Sequence, residues 1–184
     1  MISIATLGPD GSDGCQAARK YSPDATLRFY NRIADIINAF INEETDLALI
    51  PIYNTREGEI KEYFRLMEQL EEGYWIDNIV LPIHLSLGAL PHQEGNRLIT
   101  TIVGRGSVFR QCEDYIAENY PEATLITVQD IDSYLIKIKG RTLLDHAVIE
   151  SEELLCMLAL VILFRQVVPN NRTRCAVLAT ILGS

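Results

Sequence analysis

Stretches suited to β-strands alternate with amphipathic helical stretches along this chain, and the alternation starts twice. "ISIATL" is apolar and β-prone, a glycine-rich turn follows, and "CQAARKY" favours helix. "ATLRFY" is a strand, and "RIADIINAFINEE" sets Ile33, Ile36, Ile37, Phe40 and Ile41 at helical spacing. "DLALIPIYN" is a continuous apolar run of the kind covered on both faces, and "EIKEYFRLMEQLEE" is a second amphipathic helix. After "WIDNIVLPIHLSLGAL", a long β-prone stretch bent at Pro82, the order resumes. Strand "RLITTIVG", helix "SVFRQCEDYIAENY", strand "ATLITV", the ambiguous "IDSYLIKI" and strand "HAVIE" lead into "SEELLCMLALVILF", a helix entered through Ser151 as N-cap. "RCAVLATIL" closes the chain as a strand.

Alternation of this kind specifies an α/β fold with largely parallel sheet. Two runs joined through a long strand predict two lobes, residues 1–79 with 166–184 and residues 80–165. The last strand then returns to the first lobe, a cleft separates the two, and the polar "PNNRTR" stands at the mouth of a ligand site. With 184 residues and 48% hydrophobic content the chain can bury a real core. The apolar "LLCMLALVILF" is about 11 residues, short of the roughly 18 to 20 that cross a bilayer. It is expected to be a buried helix.

The charge excludes one class of partner. A net charge of −9, without a Lys/Arg stripe, speaks against nucleic acid. The N-terminus lacks the pattern of a signal peptide. Cys15, Cys112, Cys156 and Cys175 lie far apart with no C-x-x-C, and His84, His92 and His146 are scattered. Neither a metal site nor a disulfide framework is expected, and reduced thiols in a cytoplasm fit best.

Three motifs can carry chemistry. "LGPDGSDGCQAA" puts Gly8, Gly11 and Gly14 in the turn after the first strand, at a spacing that matches neither the dinucleotide fingerprint nor the P-loop. It is either a tight turn capped by Ser12 or a turn that binds a carboxylate. Asn54 and Thr55 follow the strongest strand, where open α/β sheets place ligands, or else initiate the turn that Gly58 completes. In "NNRTRC", Thr173 and Arg174 adjoin, so strand alternation points them to opposite faces unless the strand twists. Arg174 is suited to holding a carboxylate, and equally to being a surface charge.

Taken together, "LGPDGS…AA", "DLALIPIYNTREG", "RQC", "HAVIESEE" and "NNRTRCAVL" occur in the order and approximate spacing of prephenate dehydratases, and the chain resembles that family over essentially its whole length. The family's stretches read G-P-x-G-T…A-A, P-I-E-N-S…G, H-P-Q-A-L-x-Q-C, A-x-I-A-S-E and N-x-T-R-F. The resemblance implies a two-lobed fold like that of type II periplasmic binding proteins, with prephenate in the interlobe cleft and no cofactor. It implies loss of the ring carboxylate as CO₂ and of the 4-hydroxyl as water, giving phenylpyruvate. By the Thr-Arg-Phe motif, Thr173 is the catalytic donor that helps hydroxide depart, and Arg174 helps hold carboxylate charge.

Gly11, Ser12, Tyr53, Asn54, Thr55, Arg105, Ser107 and Ser133 carry over as substrate-binding positions. Several depart from the pattern: Ser12 stands for Thr, Tyr53 for Glu, Arg105-Gly106-Ser107 for His-Pro-Gln, Ser133-Tyr134 for Ser-Thr, and Cys175 for Phe. Tyr53 and Tyr134 are compatible with a relative that decarboxylates prephenate without aromatising it. Thr173 favours the dehydratase. A carboxylate-binding protein without catalysis is the competing class. The resemblance also implies a homodimer or homotetramer; many family members carry a regulatory domain after the final strand, and for lack of room there none is expected here.

Overall fold

The computed structural model describes residues 2–68, 70, 73–90, 98–138, 141 and 145–180. The tails of "EIKEYFRLMEQLEE" and "RCAVLATIL", and Arg97 of "RLITTIVG", lie outside them. In chain order the first elements are β1 (Ser3–Leu7), α1 (Asp13–Tyr21), β2 (Thr26–Tyr30), α2 (Ile33–Ile41), β3 (Leu47–Asn54), β4 (Gly58–Glu59), α3 (Lys61–Met67) and β5 (Tyr74–Pro82). There follow β6 (Leu85–Ala89), β7 (Thr101–Gly104), α4 (Gly106–Gln111), α5 (Glu113–Asn119), β8 (Thr124–Thr127), α6 (Ile131–Lys137), β9 (His146–Ser151), α7 (Glu152–Met157), β10 (Val161–Phe164) and β11 (Arg172–Ala179). They form two compact units, Met1–Ile83 with Asn170–Ser184, and His84–Pro169.

The first unit holds a sheet of order β2-β1-β3-β11-β5, with β4 hydrogen-bonded to β3. β2, β1 and β3 run parallel through the crossovers α1 and α2, whereas β11 lies antiparallel between β3 and β5. The spacing of α2 turns Ile33, Ile36, Ile37 and Phe40 onto Ala5, Ile50 and Leu178. Each such large side chain contributes about 1.5–3 kcal/mol on burial. Ile41, one step round the helix, is 47% exposed.

The second unit has a sheet of order β10-β6-β9-β7-β8. Here β9, β7 and β8 are parallel, and β6 and β10 antiparallel. Both sheets are therefore mixed, which corrects the expectation of largely parallel strands. β6 joins the second sheet directly from the first unit and β11 returns to the first sheet from the second unit, so neither reaches its neighbours through the βαβ crossover that imposes a parallel direction.

"SEELLCMLALVILF" is not one helix. Ser151 caps it as expected, its hydroxyl accepting from the Leu154 N–H, but α7 ends at Met157. Ala159 takes φ +55°, and the Leu160 N–H donates to the Leu155 carbonyl at 2.9 Å, which is the hydrogen bond of a left-handed helix stop. Val161 and Ile162 then pair with β6 as an edge strand. An apolar run without period cannot by itself distinguish helix from strand, and the β-branched pair goes to the sheet. "SVFRQCEDYIAENY" likewise breaks at Cys112 into α4 and α5. The ambiguous "IDSYLIKI" is helical, because Asp130 accepts from the N–H groups of Asp132 and Ser133.

Candidate active site

In the first unit, parallel β1 and β3 end on the side of the sheet where antiparallel β11 begins. That topology gathers the turn after β1, Asn54–Thr55 and Asn171–Arg174 at one end, where open α/β sheets take ligands. Register then pairs Thr173 with Asn54 and Arg174 with Tyr53.

Asn54 is the hub, and only 1% of it is exposed. Its Oδ1 accepts from the backbone N–H groups of Arg56 at 2.8 Å and Glu57 at 3.1 Å, starting the turn that reaches Gly58. Its Nδ2 donates to Asn171 Oδ1 and to Thr173 Oγ1, each at 2.9 Å. The turn-initiating alternative for this residue is thus realised. The backbone N–H groups fix which end of the amide is oxygen, so Thr173 Oγ1 must accept. The hydroxyl has one proton, and that proton has no acceptor among the described residues.

Thr55 supports the same corner. Its N–H donates to the Arg172 carbonyl, its hydroxyl accepts from the Arg172 N–H at 3.0 Å, and the hydroxyl faces Asn171 Oδ1 at 3.3 Å. Arg174 and Tyr53 are exposed, Tyr53 by 43%. The β11–β3 register slips between Arg174 and Cys175, where Ile52 of β3 is left unpaired, while Thr173 and Arg174 keep regular register with Asn54 and Tyr53.

The glycine turn is spent largely on structure. Ser12 is 1% exposed; its hydroxyl donates to the Leu7 carbonyl at 3.1 Å and accepts from the Cys15 N–H at 3.3 Å. Gly11, at φ +77°, donates its N–H to Asp10 Oδ1 at 3.1 Å. A Cβ on Gly14 would stand 2.3 Å from the Leu7 carbonyl oxygen, so this helix start packs against its strand only without a side chain.

The second unit has its own polar cluster at the carboxyl ends of β7, β8 and β9. Arg105 follows β7 and forms a bidentate pair with Glu150 near the end of β9, Nε to Oε2 and Nη2 to Oε1, both at 2.7 Å. The Glu150 side chain is 0% exposed and that of Arg105 19%. Glu150 also accepts from the Ser151 N–H at 2.9 Å. Asp130, beyond β8, accepts from the Ser133 hydroxyl at 2.5 Å and N–H at 3.0 Å. Burial alone raises the Asp130 pKa, but the Ser133 bonds, with the charge of Arg105 behind them, leave it below the usual carboxylate range.

Ser107 lies half-buried in the first turn of α4. Tyr134 packs against the core around Ile131 and Val148, and burial pushes its phenol up. It is half-buried. No group of metal-ligating side chains occurs among the described residues, and no described helix is long and apolar enough to cross a membrane.

Asn171 and Glu150 escaped sequence reasoning. Asn171 had a usable signal, since it is the asparagine that the N-x-T-R-F stretch sets two residues before Thr173. Glu150 had another, a carboxylate ending the apolar "HAVIE" where the family stretch carries Ala.

A family model described as prephenate dehydratase matches residues 4–181. A prephenate dehydratase of Lactococcus lactis subsp. lactis is 32% identical over 122 residues, covering 66% of this chain and 43% of its own length. The chain therefore spans less than half of that relative. The crystal structure of the Arthrobacter aurescens prephenate dehydratase in complex with L-Phe superposes with a TM-score of 0.80 at 22% identity, over 100% of this chain and 61% of that one. A periplasmic substrate-binding protein of an ABC transporter from Coxiella burnetii superposes with a TM-score of 0.55 at 11% identity, over 98% of this chain and 84% of that one. These likenesses establish the fold as two-lobed and similar to periplasmic binding proteins.

Proposed function

The chain belongs to the prephenate dehydratase family, and on that footing we propose that it converts prephenate to phenylpyruvate, CO₂ and water. The observation that carries the reading is Thr173. Its oxygen is pinned by the Asn54 amide at 2.9 Å, which leaves the single O–H proton for a ligand. The ring carboxylate departs as CO₂, its bonding pair enters the ring, and the 4-hydroxyl leaves with a proton taken from solvent by way of the Thr173 hydroxyl. A threonine is a poor free acid. As a positioned donor it acts only where charge develops on the leaving oxygen.

Arg174, next in the strand and exposed, holds carboxylate charge. Tyr53 and Thr55 line the same end of the sheet, Gly11 and Ser12 shape the turn beside it, and Arg105, Ser107 and Ser133 make substrate contacts of their own. The four cysteines are unbonded, which supports a reducing compartment, the cytoplasm. Exposed Tyr74 and Trp75 on edge strand β5 support assembly into two or four copies.

Incubation with prephenate at neutral pH, followed by ultraviolet absorbance and NMR, tests the reading. Phenylpyruvate is the expected product. A non-aromatic keto acid with CO₂ released, or binding without turnover, would overturn it.

A further inference from the structure

Four strands end the two sheet orders: β2, β5, β10 and β8. The first three each carry a feature that discourages a further strand. β2 has Arg28 at its middle, paired with Glu44. In β5 the register shifts between Trp75 and Asp77, and Lys20 Nζ donates to the Val80 carbonyl at 2.9 Å. β10 is interrupted by a register shift between Ile162 and Phe164. β8, by contrast, is Thr124-Leu125-Ile126-Thr127, with no charge or proline, and pairs with β7 in unbroken register. The Thr124 and Val128 N–H groups donate to the Thr100 and Gly104 carbonyls on the β7 side. Alternation therefore turns the N–H and C=O of Leu125 and Thr127 to the open edge.

Beside that edge lies a groove of about 400 Å³ between β8 and helices α4 and α5, within the size range of ligand pockets. Phe109, Ile116, Tyr120, Pro121 and Leu125 line it, and Leu125 is 44% exposed. The rim is acidic. Glu113 lines the groove, Asp114 and Glu118 stand one step round α5, and Glu122 precedes β8, all exposed. Against them the described lining holds a single basic residue, Arg110. A second copy would bring the same acids onto these, and a nucleic acid would bring phosphates, so both are repelled.

We propose that β8 and this groove form a docking site for an extended basic segment of a partner protein. The segment adds an antiparallel strand to the sheet, places one apolar side chain in the groove and sets lysines or arginines against the α5 acids. The residue opposite Leu125 shares its face and enters the groove; the residues two before and two after lie on that face too and reach the rim. None of these positions belongs to the candidate active site, so docking is independent of prephenate turnover.

Two acetylated and amidated pentapeptides, Lys-Thr-Phe-Thr-Lys and Glu-Thr-Phe-Thr-Glu, serve as probes, titrated into the whole chain by calorimetry and amide NMR. At low salt the lysine peptide should bind about tenfold more tightly or better, with the gap narrowing as salt rises, and should shift the amides of Leu125, Thr127 and α5. An N-methyl on its phenylalanine nitrogen removes a strand hydrogen bond and should weaken it. Ala117→Trp fills the groove from an exposed helix position and should abolish binding of the lysine peptide at an unchanged melting temperature. Asp114→Lys combined with Glu118→Lys should reverse the preference between the peptides. Equal affinity for the two, binding of neither, or a lysine peptide indifferent to Ala117→Trp overturns the proposal. So does protection of the Leu125 and Thr127 amides from exchange in the peptide-free chain, which would put a second copy on the edge.

Discussion

Thr173→Val replaces a hydroxyl by a methyl of similar volume and isolates what the oxygen does. Asn54, 1% exposed, loses the acceptor at 2.9 Å for one of its two amide N–H groups. Asn171 takes the other N–H and cannot take both, since its oxygen already faces the Thr55 hydroxyl. A buried donor without a partner costs about 1–3 kcal/mol. For a chain of this size each kcal/mol is worth about 2–4 °C, so the melting temperature should fall by roughly 2 to 12 °C. A positioned proton donor contributes about 10²–10⁴ in rate, and kcat should fall by that factor while phenylpyruvate binds almost as before. Initial rates come from product absorbance at saturating prephenate, and binding from calorimetry. Thr173→Ser, which restores the oxygen, should recover most of the rate. A valine variant that melts earlier yet keeps kcat within about threefold of wild type would make Thr173 a structural residue and refute the mechanism.

Asn54→Asp reverses the same bond: the new carboxylate draws the Thr173 proton to itself, so kcat measured in the same assay should drop about as far as in the valine variant, by roughly 10² or more. Ser133→Ala should be less stable than wild type near neutral pH, with the gap closing in acid. Asp130 has a lowered pKa in the fold, so its stabilisation is present above the unfolded carboxylate pKa of about 3.9 and is lost as pH falls below it; chemical denaturation at pH 7 and pH 3 reads the difference. Of the four free thiols only Cys156 is exposed, and burial pushes Cys112 and Cys175 up to about 12. A thiol reagent should therefore modify one cysteine quickly in the native protein and all four in denaturant, which mass spectrometry can count.

Periodicity made most elements legible. The 3.6-residue spacing of α2 foretold the buried face of Ile33, Ile36, Ile37 and Phe40, because a helix between sheet and solvent has one side to hide. Where hydrophobicity was continuous the pattern lost its meaning. The run after Ser151 turns from helix to edge strand at Ala159, and no glycine or proline marks that stop. Strand direction was the other blind spot. Composition reports that a strand is buried, but the antiparallel seating of β11 and β6 follows from where the chain re-enters each sheet.

At the candidate site the local motifs were legible and the pairings were not, and the two clusters fail in the same way. Asn54 and Thr173 are 119 residues apart, Arg105 and Glu150 are 45 apart, and each partner alone reads as a turn former, a strand residue or a surface charge. What joins them is sheet order: β3 beside β11, and β7 beside β9. Their electrostatic outcomes then diverge. An amide locked by backbone N–H groups leaves Thr173 with a proton to give, whereas a carboxylate locked by Arg105 removes a charge that the arginine would otherwise present. If the donor acts on substrate, charge-neutral changes at Asn54 should alter turnover more than binding. An Asn54 variant that moved both quantities equally would mean that its neighbours had collapsed, leaving no separate role for the amide.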